Sequence, residues 1–411
     1  MFRRHKAVLV AAVLISLAAG FYLGVREGAR GPVPAVESTA SGPGPLRGIW
    51  VVRHALTSRA SIDQVVDTAR AVGATALFVQ VNGRSEAYYR SRLLPPAPGI
   101  EPGLDPLDYV LERARRAGLE VHAWINAYTA GLLLERPAHP DHVLNRHPEW
   151  VTVDRDGRSL WDYSLEEALA HVPARMLDPG VPAVQEFVFQ SVMEVAERYP
   201  VAGIHLDYAR YPSRRFGYHP ESLARFWAQH GFDPVTLERE PAAFIRQHGI
   251  DAYWAHLDLW DAWRREQVTD LVARIGQALR ERRPGVRFSA AVHGDVDDAV
   301  ANRLQDWPAW VERGLVDAVV PMAYSADTAQ VVRQLEAAAA LVRGAGVALY
   351  AGLGAHLLRA EPQLLAHQVA AARAAAADGV VIFSHETVLE SSAIRAVLTP
   401  AWTGAGPPLG P

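Results

Sequence analysis

The stretch GIHLDYARYP, residues 203–212, has the apolar content of a buried strand, with Ile204, Leu206 and Tyr208 at alternate positions and Pro212 closing the run. Side chains alternate across a strand, so Gly203, His205 and Asp207 share the opposite face. An ionised carboxylate in an apolar interior is costly unless paired or solvated, so Asp207 belongs at an opening or in a polar network. What surrounds the strand decides between them.

Working outward, similar short β-branched runs occupy residues 46–53, 76–82, 120–128, 287–294, 318–325, 347–355 and 379–387, which with 203–211 makes eight. Between them lie segments such as SIDQVVDTARAVG and PLDYVLERARRAG, with apolar residues at three- and four-residue spacing and a terminal Gly. These are amphipathic helices with a C-terminal stop. Strand and helix alternating in this way predict an α/β fold, a (β/α)8 TIM barrel over residues 46–398. The rival, a doubly wound open sheet, would carry a Gly-rich phosphate turn after its first strand, and VVRHALTSRAS has none. Two connections are long, residues 129–180 after strand three and 212–252 after strand four. In this fold the segments that follow strands build the mouth, which puts Asp207 at the active-site rim.

Composition excludes several functions. The chain of 411 residues has a formal charge of -4 and no basic stripe, so a nucleic-acid partner is not expected. Cysteine is absent, which removes disulfides, thiolate metal sites, a cysteine nucleophile and a lipid-modified cysteine. At the N-terminus MFRRHK precedes an uncharged apolar run, residues 7–24. This is an export segment: signal peptide or membrane anchor are both open, and the lack of an A-x-A site directly after it favours the anchor. Residues beyond it are expected on the outer face of the membrane or secreted. Residues 25–45 read as a Gly/Pro/Ser linker and 399–411 as a loose tail.

Strand parity then nominates the site. His122, Trp124 and Asn126 share one face of strand three; Ser289, Ala291, His293 and Asp295 share one face of strand five. Tyr324 and Asp327 end strand six, Glu386 ends strand eight, and Arg53 and His54 finish strand one. Asp207, Asp295, Asp327 and Glu386 are therefore expected to face one mouth. Such a ring suits glycosidic cleavage, in which one carboxyl protonates the leaving oxygen while another attacks or activates water. Trp124, Trp150 and Trp161, on strand three or its insertion, are candidates for stacking on sugar faces. Plainer roles compete: Asp207 or Asp295 paired with an arginine, and His122, His205 and His293 as supporting hydrogen-bonders. Trp260 and Trp263 are expected in the core, Asp261 and Arg265 on a solvated helix face, and DRDG at 154–157 in a hairpin turn. A sharper rival is a divalent metal held by His205-x-Asp207 and His293-x-Asp295.

The strings RGIWVVR, YYRS, LDPLDYVLERARRAGLEVHAWIN, HPEW, DRDG, LDPG, GIHLDYARYP, WRREQV, DAVVPMAYS and FSH, in that order, resemble the glycosyl-hydrolase-like family 10 proteins over about 350 residues. The resemblance implies a (β/α)8 barrel with a glycoside-hydrolase-like site, in exported bacterial proteins. It highlights Asp207, Tyr208 and Arg210, His122, Trp124 and Asn126, Arg53 and Tyr324. The strand-two motif departs from the pattern, with Asn82 and Glu86 where Arg and Asp are frequent, and strand eight has His385 where an aromatic is common.

The resulting expectation is an exported hydrolase of an envelope or extracellular polysaccharide. Asp207 is the nucleophile, Asp327 or Glu386 the acid/base, and Arg53, His122, Trp124, Asn126, His205, Tyr208, Arg210, His293 and Tyr324 bind the substrate. No metal or cofactor is called for. A glycan-binding protein without turnover is the alternative.

Overall fold

The computed structural model describes residues 44–403 except 134 and 173. The expected export segment, most of the linker and the end of the tail lie outside the described residues. Eight parallel strands close into a barrel: β1 (Leu46–Val51), β2 (Ala76–Asn82), β3 (Glu120–Asn126), β4 (Gly203–Asp207), β5 (Arg287–His293), β6 (Ala318–Ala323), β7 (Ala348–Gly354) and β8 (Gly379–Phe383). Each strand hydrogen-bonds to its sequence neighbours, and β8 closes on β1. The eight expected runs are the eight barrel strands.

Local chemistry sets the helices between them. Ser58 and Ser61 form a reciprocal capping box at the start of Arg59–Ala71. Asp105 caps Pro106–Arg116, with Pro at the first turn, where its missing N–H costs nothing. The outward strand residues, among them Ile49, Leu77, Val79, Ile204 and Leu206, pack with these helices in one large apolar shell. The inward residues Trp50, Phe78, Trp124, Val320, Tyr350 and Val381 fill the barrel itself. Burying a side chain of this size is worth roughly 1.5–3 kcal/mol, so the interior is a packed core rather than a pore.

One glycine is dictated by this packing. A Cβ on Gly203 would lie 2.3 Å from His122 Nδ1 and 2.9 Å from the Arg287 carbonyl oxygen, so β4 begins with Gly because the His122 ring fills the place of its side chain.

The two long connections are present. After β3, the strands Thr129–Gly131 and Arg175–Met176 pair antiparallel, and the 154–157 turn joins residues that bridge at Val153 and Ser159. After β4 come helices Pro220–His230, Pro234–Arg239 and Pro241–His248, then a helix of 33 residues, Ile250–Arg282. Trp260 and Trp263 are buried there in a satellite core with Tyr218 and Phe226. Asp261 is buried as well, held by Arg264 and by Arg214 at 2.7 Å, while Arg265 turns to Asp306. The expected solvated pair is therefore absent, because the insertion covers that helix face. The last helix, Ser392–Thr403, runs past Leu398, where the tail was expected to start. Among the described residues no helix is long and apolar enough to cross a membrane.

Candidate active site

The strand ends surround a cavity of about 300 Å³ at the C-terminal face of the barrel. Trp50, Val52 and Arg53 come from β1 and its end, Gln80, Gly83 and Arg84 from β2 and its loop, and Trp124, Asn126 and Thr129 from β3 and its insertion. Asp207, Tyr208 and Arg210 line it from β4, and Met322, Tyr324 and Phe383 from the far wall. A hollow of about 350 Å³ lies in the insertions, among Arg155, Arg214 and Arg215. Those arginines are neutralised by Glu238, Asp261, Asp154 and Asp156, so the barrel mouth is the chemically distinctive cavity.

Asp207 is held inside it. Register pairs Asn126 with Asp207 and Trp124 with His205 across β3 and β4, which brings the Trp124 indole over the carboxylate. Trp124 Nε1 donates to Asp207 Oδ2 at 3.1 Å, and the Tyr208 backbone N–H donates to Oδ1 at 2.6 Å. Burial pushes the Asp207 carboxyl up from its ordinary 3.8 to about 6, against the opposing pull of Arg210 and these two donors. Burial and the neighbouring Asp207 likewise raise the Tyr324 and Tyr208 hydroxyls, so both phenols are neutral donors at neutral pH.

A second row of hydrogen bonds positions the wall. Arg53 Nη1 donates to Gln80 Oε1 at 2.9 Å, Gln80 Nε2 to Asn126 Oδ1 at 3.4 Å, and Asn126 Nδ2 and Thr129 Oγ1 each to the Gly83 carbonyl at 3.0 Å. A Cβ at Gly83 would sit 3.0 Å from Arg53 Nη1, so glycine leaves room for that guanidinium. Below, Trp50 Nε1 donates to His205 Nε2 at 3.0 Å, and His205 Nδ1 lies 2.9 Å from Ser289 Oγ. Since Nε2 accepts, the neutral His205 carries its proton on Nδ1 and donates to Ser289. Its burial holds it well below the usual histidine range.

Two non-glycine residues in the left-handed region flank the cavity, Ser85 at φ 57° and Tyr208 at φ 50°. Such backbone costs about 1–3 kcal/mol and concentrates at functional sites. At Tyr208 the turn that creates it also supplies the N–H that Asp207 accepts.

The structure thus brings together Arg53, Trp124, Asn126, Asp207, Tyr208, Arg210 and Tyr324. Other candidates fall elsewhere. Asp327 is exposed and caps the helix Thr328–Val342 through the Ala329 N–H at 2.8 Å. Glu386 stands in the first turn of His385–Glu390, 3.0 Å from His54 Nε2, off the cavity wall. Asp295 is exposed and caps Val296–Ala301. Each lies beyond its strand, where strand parity no longer applies: helix capping claims Asp295 and Asp327, and His54 claims Glu386. His122 is buried beneath the site, stacked on Phe78 at 4.5 Å, and His205 serves Trp50 rather than a ligand. His293 turns to Asp298 at 3.4 Å. Trp150 stacks on His147, and Trp161 lies between Arg136 and Arg175, so neither indole lines the cavity. Arg210 makes no direct hydrogen bond to Asp207; its guanidinium lies 4.6 Å over the Tyr208 ring.

The two His-x-Asp pairs do not converge, because His205, His293 and Asp295 each turn to a different partner. No group of three or more His, Cys, Asp or Glu side chains suited to a metal occurs among the described residues. Sequence reasoning missed Trp50, Gln80 and Arg84. Strand parity was the available signal for the first two, since Trp50 and Gln80 fall on inward positions of β1 and β2.

A closed parallel barrel with its polar cavity at the C-terminal mouth is a TIM barrel with its site where that fold places one, and solved structures agree on the fold. The glycoside hydrolase domain of PgaB (BpsB) from Bordetella bronchiseptica superposes with a TM-score of 0.58 at 18% identity, covering 88% of this chain and 99% of that one. The β-galactosidase of Marinomonas ef1 gives 0.61 at 14% identity, covering 87% and 59%. The chain belongs to the glycosyl hydrolase-like 10 family, whose profile matches residues 45–363. It is 26% identical to the glycosyl hydrolase DigH of Escherichia coli K12 over 71% of this chain and 67% of that protein. With the glycosyl hydrolase YngK of Bacillus subtilis it shares 25% identity, over 64% of this chain and 48% of the relative.

Proposed function

We propose that the chain is an exported hydrolase of an envelope or extracellular polysaccharide in which Asp207 acts as the general acid. The observation that carries this reading is the placement of Asp207 in a walled cavity with its pKa raised to about 6. A carboxyl whose pKa is raised toward the working pH can protonate a leaving glycosidic oxygen. A carboxylate nucleophile is ordinarily held at low pKa by its partners, whereas burial here raises Asp207, the direction expected of an acid. The description of two relatives as glycosyl hydrolases supports the same chemistry.

The partner role, activating water, is assigned to Glu86. It follows β2 at the mouth, is half-buried, and interacts electrostatically with Arg53 and Arg84, both of which line the cavity. Its carboxyl is raised by burial. Trp50 and Trp124 offer apolar faces for sugar rings, and Asn126, Tyr208 and Tyr324 offer hydrogen bonds to hydroxyls. Export rests on the charged and then apolar start of the chain.

A second reading, glycan binding without turnover, draws support from Asp207 being the only carboxylate among the described residues that lines the cavity. Asp207→Asn separates the two. Incubation of the full chain with envelope and exopolysaccharide glycans should release reducing sugar, and the variant should bind the same glycan while losing at least about a thousandfold in rate. Binding by both forms with release by neither would establish the second reading.

A further inference from the structure

We propose that the saccharide bound at this mouth carries an anionic substituent, a carboxylate or a sulfate or phosphate ester, seated against Arg53, Arg84 and Arg210. The proposal rests on the glycan reading above and names the substrate class it leaves open.

The chain as a whole is acidic, at -4, yet its barrel mouth is lined by three guanidiniums against Asp207 in the wall and Glu86, which acts on Arg53 and Arg84 from outside it. No carboxylate lies within 4.0 Å of any of the three among the described residues. Arg210 is the decisive case. It is 8% exposed, and its Nε and Nη1 are shut off from water with no hydrogen-bond partner. Of the carboxylates that act on it, Asp207 shares the cavity without a hydrogen bond to it, and Asp298 is already engaged by Arg303 at 3.0 Å and His293 at 3.4 Å. The Tyr208 ring under its guanidinium holds the side chain in place without neutralising it.

A buried, unpaired cation costs several kcal/mol, and a protein retains one where a ligand repays the cost. A neutral sugar hydroxyl repays little of it. An anionic group accepts a charge-assisted hydrogen bond from the guanidinium edge that faces the cavity and is drawn in by the neighbouring guanidiniums. The cavity, at about 300 Å³, has room for a sugar ring together with such a substituent.

The test uses monosaccharides, which do not depend on knowing the linkage: glucose, glucuronate and glucose 6-phosphate, titrated into the full-length chain and followed by ligand-observed saturation-transfer NMR. At least one anionic sugar should bind about tenfold or more tighter than glucose, weakening as salt is raised. Preference for glucuronate assigns a carboxylate, and preference for glucose 6-phosphate assigns an ester. Arg210→Met should abolish that preference; if it fails to fold, Arg84→Met, at a half-exposed position, should reduce it at least threefold. Equal affinity for glucose and both anionic sugars, or a preference that survives both variants, overturns the proposal. Sugar release from neutral polymers alone, lost in Asp207→Asn, would overturn it while leaving the hydrolase reading intact. Anion preference without turnover on any glycan would do the reverse.

Discussion

Trp124 Nε1 donates to Asp207 Oδ2 at 3.1 Å, and the two residues sit on adjacent strands one side-chain layer apart. The bond stabilises the ionised carboxyl, so it acts with Arg210 against burial. In Trp124→Phe the Asp207 pKa should rise further, moving the alkaline limb of kcat/KM to higher pH while kcat falls by about tenfold. An unmoved limb would show that Asp207 is not the group controlling it.

Asp207 also makes stability depend on pH. Unfolded, it titrates near its ordinary 3.8; folded, near 6. Between those values the folded chain holds a proton that the unfolded chain has released, so the contribution to stability falls as pH rises through that window. Above it, the ionised group costs ~3 kcal/mol. Asp207→Asn should therefore be the more stable protein at about pH 8, and the difference should vanish below the ordinary carboxylate range. Urea unfolding at a series of pH values reads this directly, and a pH-independent difference would refute it.

Glu86 should separate by function from the two carboxylates that lie off the cavity wall, Asp327 and Glu386. Glu86→Gln is expected to lower kcat by at least about a hundredfold if it activates water. Asp327→Asn keeps a capping side chain and Glu386→Gln keeps a partner for Ser384, so both should stay within about twofold of the parent. Sugar release measured side by side ranks the three.

Below the cavity, His205→Phe leaves the Trp50 N–H without its acceptor. A buried donor abandoned in this way costs about 1–3 kcal/mol, visible as a lower urea midpoint. Loss of the Trp50 orientation should appear in KM more than in kcat.

Gly203→Ala is expected to be strongly damaging for a single methyl. Its Cβ meets a ring already packed against Phe78 on one side and backbone on the other. Neither can retreat without opening the β3–β4 register, so soluble yield and thermal stability should both drop, by more than the roughly 1–3 kcal/mol usual for overpacking.

The amino-acid order alone determined the barrel. β-Branched runs alternate with amphipathic helices that cover both faces of parallel strands, the missing Gly-rich turn after the first strand sets aside the doubly wound sheet, and the two-residue period placed Asp207, Trp124 and Asn126 inward. What only the tertiary structure decided is which polar groups beyond the strand ends meet. Once the chain leaves β5, β6 or β8 the alternation lapses, and Asp295 and Asp327 are claimed by helix N-termini, Glu386 by His54. That Arg210 lacks a hydrogen-bonded carboxylate was equally hidden, since a guanidinium three residues past the end of its strand finds or misses a partner according to elements more than eighty positions away, where Arg303 and His293 take the nearby Asp298 first.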